Sequence, residues 1–270
     1  NRVLGDDLKM LARLEPVVRR VMIVDAQVAT ARLLTDLMKG LGAREIIIEA
    51  DEKEALAAVR DFEPTLMFVE RSGPRFDGET LVSKLRRSRM DARRIPVIMI
   101  TAEATATTIK GARDVGVHEF MVKPFTTGDL VRRIINVATK PRPWVEAVGY
   151  VGPDRRRFNS GEYKGPRKRQ SEAEAAVDPI AAEMDQAGKI IVSALDQFAR
   201  DPAQARRALI AQAETLKRLA TTSGRPALEP AAIALAAAAG IETSQVEDLR
   251  PPAVALVALL NQGAGVTKVA

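Results

Sequence analysis

Glu119-Phe120-Met121-Val122-Lys123-Pro124-Phe125 is an apolar run that closes on a cation and a proline. Two earlier stretches are built alike: Val21-Met22-Ile23-Val24-Asp25 closes on a carboxylate, and Ile95-Pro96-Val97-Ile98-Met99-Ile100-Thr101-Ala102 on a hydroxyl. Short runs that are apolar throughout, with no alternation, read as strands buried on both faces. Between them the spacing is that of amphipathic helices. We place strands near 21–25, 44–49, 65–70, 96–101 and 118–122, and helices near 28–41, 52–62, 78–88, 105–115 and 127–139. These repeated strand-then-helix units predict an α/β fold, an open, five-stranded, doubly wound parallel sheet whose ligands sit beyond the carboxyl ends of the strands. Asp25, Glu70, Thr101 and Lys123 all fall at those ends.

In this order and spacing the three runs resemble the bacterial response-regulator receiver domain, a flavodoxin-like, chemotaxis-receiver-like fold of two-component signalling and phosphorelays. In that family the first strand ends in two adjacent acids, the third in a phosphoacceptor Asp, the fourth in Ser or Thr, and the fifth in Lys-Pro. The resemblance covers residues 20–139. It implies that Asp25 matches the first acid, Thr101 the hydroxyl, Lys123 the phosphate-binding lysine and Phe120 the switch aromatic. Ala26 stands in place of the second acid and Glu70 in place of the acceptor. Losing a carboxylate weakens a hard-cation site that needs several oxygen ligands. Glu reaches about one C–C bond, ~1.5 Å, further than Asp, which displaces it from the in-line geometry of phosphoryl transfer. The resemblance therefore implies a degenerate phosphorylation site of Asp25, Glu70, Thr101 and Lys123, with no metal and no cofactor, in a pseudo-receiver that is not an enzyme. Two readings stand side by side: Lys123 pairs with Glu70 or Asp25 and locks one active-like output state, or it forms a residual ion pair in a scaffold that no longer switches. An atypical phospho-switch using Glu70, or residual cation binding at Asp25 and Glu70, is the alternative.

Outside this domain the sequence changes character. Residues 1–19 space Leu4, Leu8, Leu11 and Leu14 as a short amphipathic helix. Residues 140–178 read as a linker in which Tyr150-Val151-Gly152-Pro153-Asp154-Arg155-Arg156-Arg157 recurs as Tyr163-Lys164-Gly165-Pro166-Arg167-Lys168-Arg169. The formal net charge is +6, and residues 140–170, with nine Lys or Arg against three acids, account for all of it. A flexible spacer needs neither the repetition nor the aromatics. Tyr150, Arg155, Arg156, Arg157, Tyr163, Arg167, Lys168 and Arg169 are therefore the candidate partner-binding residues. A protein-docking tether is the favoured reading. A nucleic-acid-binding regulator, with cations on phosphates and tyrosines stacked on bases, is the alternative.

Residues 179–270 are Ala-rich and helical, with Asp178-Pro179, Asp201-Pro202, Glu229-Pro230 and Pro251-Pro252 as expected helix openings. Ile180, Met184, Ala187, Ile191, Ala194 and Phe198 make a narrow heptad seam, fit for a homodimer unless the chain's own later helices fill it. No histidine follows His118, so the region is not a histidine phosphotransfer domain, and His118 itself reads as structural. Ala236 to Val246 is compatible with a helix-turn-helix. The acidic Glu247 and Asp248 that follow favour a plain turn with Gly240 as helix cap. With no cysteine, disulfides are excluded, and the apolar runs are too short to span a bilayer. The expected protein is soluble, cytoplasmic, without a membrane partner, and acts as a non-catalytic signalling or scaffold protein through protein–protein interaction.

Overall fold

The structure is a computed structural model that describes residues 12–74, 76–155 and 178–263. They fall into two units, one of residues 12–145 and 150–155, the other of residues 146–149 and 178–263. Leu4, Leu8 and Leu11 of the expected first helix lie outside the described residues; 12–18 are helical and are called α1.

In the first unit there follow β1 (Arg20–Val24), α2 (Val28–Gly40), β2 (Glu45–Glu49), α3 (Glu52–Phe62) and β3 (Leu66–Glu70). A short antiparallel ribbon, β4 (Ser72–Gly73) and β5 (Phe76–Asp77), leads into α4 (Gly78–Arg87) and a 3-10 turn (Asp91–Arg94). Then come β6 (Val97–Thr101), α5 (Ala106–Asp114), β7 (Glu119–Val122) and α6 (Thr127–Thr139). The five long strands form one sheet in the order β2-β1-β3-β6-β7, parallel at every pairing. This is the doubly wound α/β fold expected from the sequence.

The apolar runs explain why the sheet is covered twice. Along β1, Met22 and Val24 join one core with Met67, Val69, Met99 and Phe120. Val21 and Ile23 point the other way and join Leu66, Phe68, Ile98, Ile100 and Met121. Successive side chains alternate between faces, so a strand apolar at every position serves both cores. Side-chain caps fix where the helices start: Asp51, Asp77, Thr105 and Thr126 each accept from backbone N–H groups of the first turn.

The expected linker from residue 140 is corrected over its first part. Residues Trp144–Glu146 (β8) and Val151–Pro153 (β9) form a two-stranded ribbon. The side chains that a linker does not need are the reason: Tyr150 and Val151 are buried, and Arg142 donates to the carbonyls of Val117 (3.0 Å) and His118 (2.6 Å). Gly116 and Gly152 meet backbone to backbone. A Cβ on Gly152 would stand 2.8 Å from the Cα of Gly116, and both glycines hold positive φ.

The second unit is all-helical: α7 (Pro179–Asp196), α8 (Pro202–Thr222), α9 (Leu228–Gly240) and α10 (Val246–Gly263). Asp178 and Asp201 cap α7 and α8 as expected. The last opening is corrected: α10 begins at Val246 and carries Pro251 and Pro252 inside it. Glu247 and Asp248 lie in its first turn, where acids favour a helix, and Asp248 accepts from the Gln245 N–H at 2.9 Å. The heptad seam of α7 is also corrected as a dimer surface. Met184, Ala187, Ile191, Ala194 and Phe198 are buried against α8, α9 and α10 residues such as Leu209, Leu216, Leu235 and Leu256. Val148 joins this core, and the buried amides of Gln204 and Gln212 donate to the carbonyls of Ala147 and Glu146. Among the described residues no helix is long and apolar enough to cross a membrane.

Candidate functional site

Parallel pairing in register brings Asp25, Glu70, Thr101 and Lys123 together at the carboxyl ends of β1, β3, β6 and β7. Asp25 and Thr101 are each 3% exposed and Glu70 8%. The Lys123 ammonium lies in direct contact with Glu70 Oε2 and 3.4 Å from Asp25 Oδ2, and it donates to Gln27 Oε1 at 3.3 Å. Asp25 Oδ1 accepts from the Gln27 N–H at 2.7 Å, which fixes the turn into α2. Thr101 Oγ1 accepts from the Glu103 N–H at 3.2 Å. The Lys123–Pro124 peptide is cis. Burial pushes the Glu70 carboxyl above its ordinary range and Asp25 adds to the rise, while hydrogen bonding and charge from Lys123 oppose it. The ammonium is what keeps a buried carboxylate tolerable there.

This donor set does not fit Mg²⁺. The ion takes near-octahedral oxygen ligation, and position 26 offers only a methyl group packed against the apolar core on one face of the sheet. The two remaining carboxylates face an ammonium. Among the described residues no group of three or more His, Cys, Asp or Glu is placed to hold a metal ion.

The rim carries a contact that the sequence did not disclose. Arg71, directly after Glu70, pairs with Glu79 at 2.7 Å. The Glu79 carboxylate rests on α5 where Gly111 has no side chain; a Cβ there would lie 2.6 Å from Glu79 Oε1. Only the glycine inside a helical pattern hinted at such an approach. Phe120 is 1% exposed and belongs to the core.

A second ionisable cluster sits at the opposite end of the sheet, where β6 and β7 begin. Arg86, 1% exposed, donates to the carbonyls of Gly116 (2.9 Å), Arg93 (2.6 Å) and Ile95 (2.9 Å), with Nη2 3.3 Å from His118 Nδ1. The Val97 N–H also donates to His118 Nδ1, at 3.2 Å. Burial holds the His118 pKa well below its ordinary value, and the cations of Arg86 and Arg142 lower it further. His118 is thus a neutral acceptor, in keeping with its structural reading. The guanidinium groups of Arg86, Arg93 and Arg94 all lie within 6 Å of the Trp144 ring centre, at 5.5, 5.8 and 5.5 Å. The one available signal was an arginine at the end of the run Leu81, Val82, Leu85, Arg86, on the buried face of α4.

The expected partner-binding set divides. Tyr150 does not face a partner. It is 7% exposed, its hydroxyl donates to the Pro153 carbonyl at 2.5 Å, and burial pushes its pKa up to about 12. Arg155 lies 5.2 Å from the Tyr150 ring centre and 3.5 Å from Asp114. The first copy of the repeat, up to Arg155, therefore packs within its own unit. Arg156, Arg157, Tyr163, Arg167, Lys168 and Arg169 lie outside the described residues.

Comparison with known proteins finds matches over one part of the chain. Residues 21–135 match the family described as response regulator receiver domain. The DNA-binding response regulator MtrA of Mycolicibacterium paratuberculosis is 28% identical over 116 residues, 43% of this chain and 49% of that protein. The probable transcriptional regulator ycf27 of Cyanophora paradoxa is 28% identical over 43% of this chain and 46% of its own length. The chain thus spans about half the length of the curated relatives it matches. Among solved structures, a putative response regulator from Chloroflexus aurantiacus is 25% identical with a TM-score of 0.43, covering 45% of this chain and 98% of that one. The CheX–CheY–BeF3–Mg complex of Borrelia burgdorferi is 27% identical with a TM-score of 0.42, covering 45% and 90%. Residues 21–135 are a response-regulator receiver domain.

Proposed function

We propose that this chain is a non-catalytic, response-regulator-like signalling or scaffold protein whose receiver works through protein–protein contact without phosphorylation. One observation carries the reading: Lys123, the residue that matches the phosphate-binding lysine, is held between Glu70 and Asp25. The carboxylate of Glu70 supplies the negative charge that a phosphoryl group would otherwise bring to that ammonium. With Ala26 offering no ligand and Thr101 accepting from Glu103, the site is a closed ionic contact in place of a reaction centre. The buried Phe120 is consistent with one fixed output state, and the surface of α5, β7 and α6 is the face offered to a partner.

The name of the MtrA relative carries DNA binding, but the matched residues lie in the receiver. In this chain a nucleic-acid reading rests on the basic repeat, and the first of its two tyrosines is buried. The protein-contact reading is therefore preferred. Amide spectra recorded during titration with Mg²⁺ and then with beryllofluoride test it. The expected result is no saturable shift at Asp25, Glu70 or Thr101 below about a millimolar, the weak end of oxygen-ligand affinities. Saturation in the micromolar range would overturn the reading.

A further inference from the structure

The helical unit buries one stripe of α7 and leaves another open. Asp185, Lys189, Val192 and Asp196 follow one another at spacings of four, three and four, the pattern of a helix–helix seam, and all four are exposed. Val192 is 45% exposed, a large apolar side chain at the middle of a charged stripe. Beside it runs a groove of about 450 Å³ between α7 and α10, lined by Met184, Gly188, Val257 and Leu260 among others. Gly188 lets the two helices close up along it: a Cβ there would stand 3.1 Å from Leu260 Cδ1.

We propose that this groove takes α7 of a second copy of the chain, antiparallel, about a two-fold axis between Val192 and Ser193. Charge complementarity selects that occupant. In this register Lys189 faces the other copy's Asp196 and Asp196 faces the other copy's Lys189. The two Val192 side chains meet near the axis. Moving the axis to lie between Ile190 and Ile191 would set Asp185 against the other copy's Asp196, so the charges disfavour that register. Lys189 is now paired with Asp185 at 2.7 Å, but both groups are well exposed, and such a pair contributes little and is readily exchanged.

With 18 residues α7 is about 27 Å long, so two such faces with the flank of α10 make an interface at the small end of specific contacts, about 600 Å² per partner. The dimer accordingly forms at micromolar concentrations, on the order of ten micromolar. This assignment rests on the helical unit alone and is independent of the receiver reading.

Sedimentation of the full chain at about 100 µM tests it, with circular dichroism to show that every variant is folded. The wild type is expected to sediment at twice the chain mass. Lys189→Glu and Asp196→Lys should each be monomeric, because each sets like charges together twice across the axis. An equimolar mixture of the two variants should dimerise again, since the introduced carboxylate at 189 then meets the introduced ammonium at 196 while the native Asp196–Lys189 contact is kept. A monomeric wild type, single variants that dimerise as the wild type does, or a mixture that stays monomeric would each overturn the proposal.

Discussion

Two cations at opposite ends of the same sheet, Lys123 half-buried and Arg86 fully buried, are satisfied in opposite ways. Lys123 at the carboxyl ends of the strands is held by two carboxylates, Glu70 and Asp25. Arg86 at the amino ends is held by three neutral carbonyls, a histidine nitrogen and the face of Trp144. The first arrangement is one of charges, each of which needs the other to remain ionised. The second is one of dipoles, and it serves assembly: Arg86 ties the end of α4 to the α5–β7 turn and to the ribbon that begins at Trp144. The carboxyl end is where the receiver family places its site and is closed here by ion pairs, and added structure occupies the other end.

The comparison is broken most easily at Arg86. Arg86→Met leaves the carbonyls of Gly116, Arg93 and Ile95 without their donor, and with unmet buried acceptors costing 1–3 kcal/mol each a loss of about 3–4 kcal/mol is expected. Denaturant midpoints measure it, and a change within about 1 kcal/mol would mean that water takes over the carbonyls and that Arg86 does not pin the ribbon.

At the other end Lys123→Met is expected to cost less, about 1–3 kcal/mol, because Glu70 can take a proton once its counter-charge is gone. The deficit should shrink as the pH falls, since burial already raises the Glu70 pKa and the folded state then binds the extra proton. A pH-independent deficit would show that lost packing, not charge, sets the cost.

His118 sharpens the contrast through pH alone. The unfolded chain protonates this imidazole near its ordinary value of about 6.5 while the folded state keeps it neutral. Stability is therefore retained above that pH and lost below it, by about 1.4 kcal/mol per pH unit until the folded pKa is reached. Thermal midpoints of wild type and His118→Gln between neutral pH and pH 5 should diverge, and parallel curves would count against the neutral acceptor.

The smallest stability effect belongs to the basic repeat. Replacing Arg155, Arg156, Arg157, Arg167, Lys168 and Arg169 by Gln should change stability by no more than about 0.5 kcal/mol, while removing the salt dependence of partner binding. Partner affinity unchanged at low and high salt would reduce the segment to a solvated linker.

Much of the first unit was legible because β1, β3, β6 and β7 are apolar over most of their length and lead into the chemically distinct Asp25, Glu70, Thr101 and Lys123. The grouping of Asp25, Glu70, Thr101 and Lys123 followed from that alone. What stayed hidden depends on contacts between distant residues. Nothing local distinguishes Gly116 and Gly152 as a close backbone approach, or marks Tyr150 as a core residue when arginines follow it. The inward seam of α7 was visible as a stripe, but a stripe does not say whether the chain's own helices or another copy will cover it. Pro251-Pro252 misled for a different reason: proline reports what a helix tolerates near its start, whereas Asp248 reports where the start is.

The central claim is that two residues, Ala26 and Glu70, separate this receiver from phosphoryl chemistry. Intact-mass measurement after acetyl phosphate and Mg²⁺, on the wild type beside an Ala26→Asp/Glu70→Asp variant, tests it most directly. The account predicts no adduct on the wild type and one phosphoryl group on the double variant; a stoichiometric phosphoryl adduct on the wild-type receiver would contradict it.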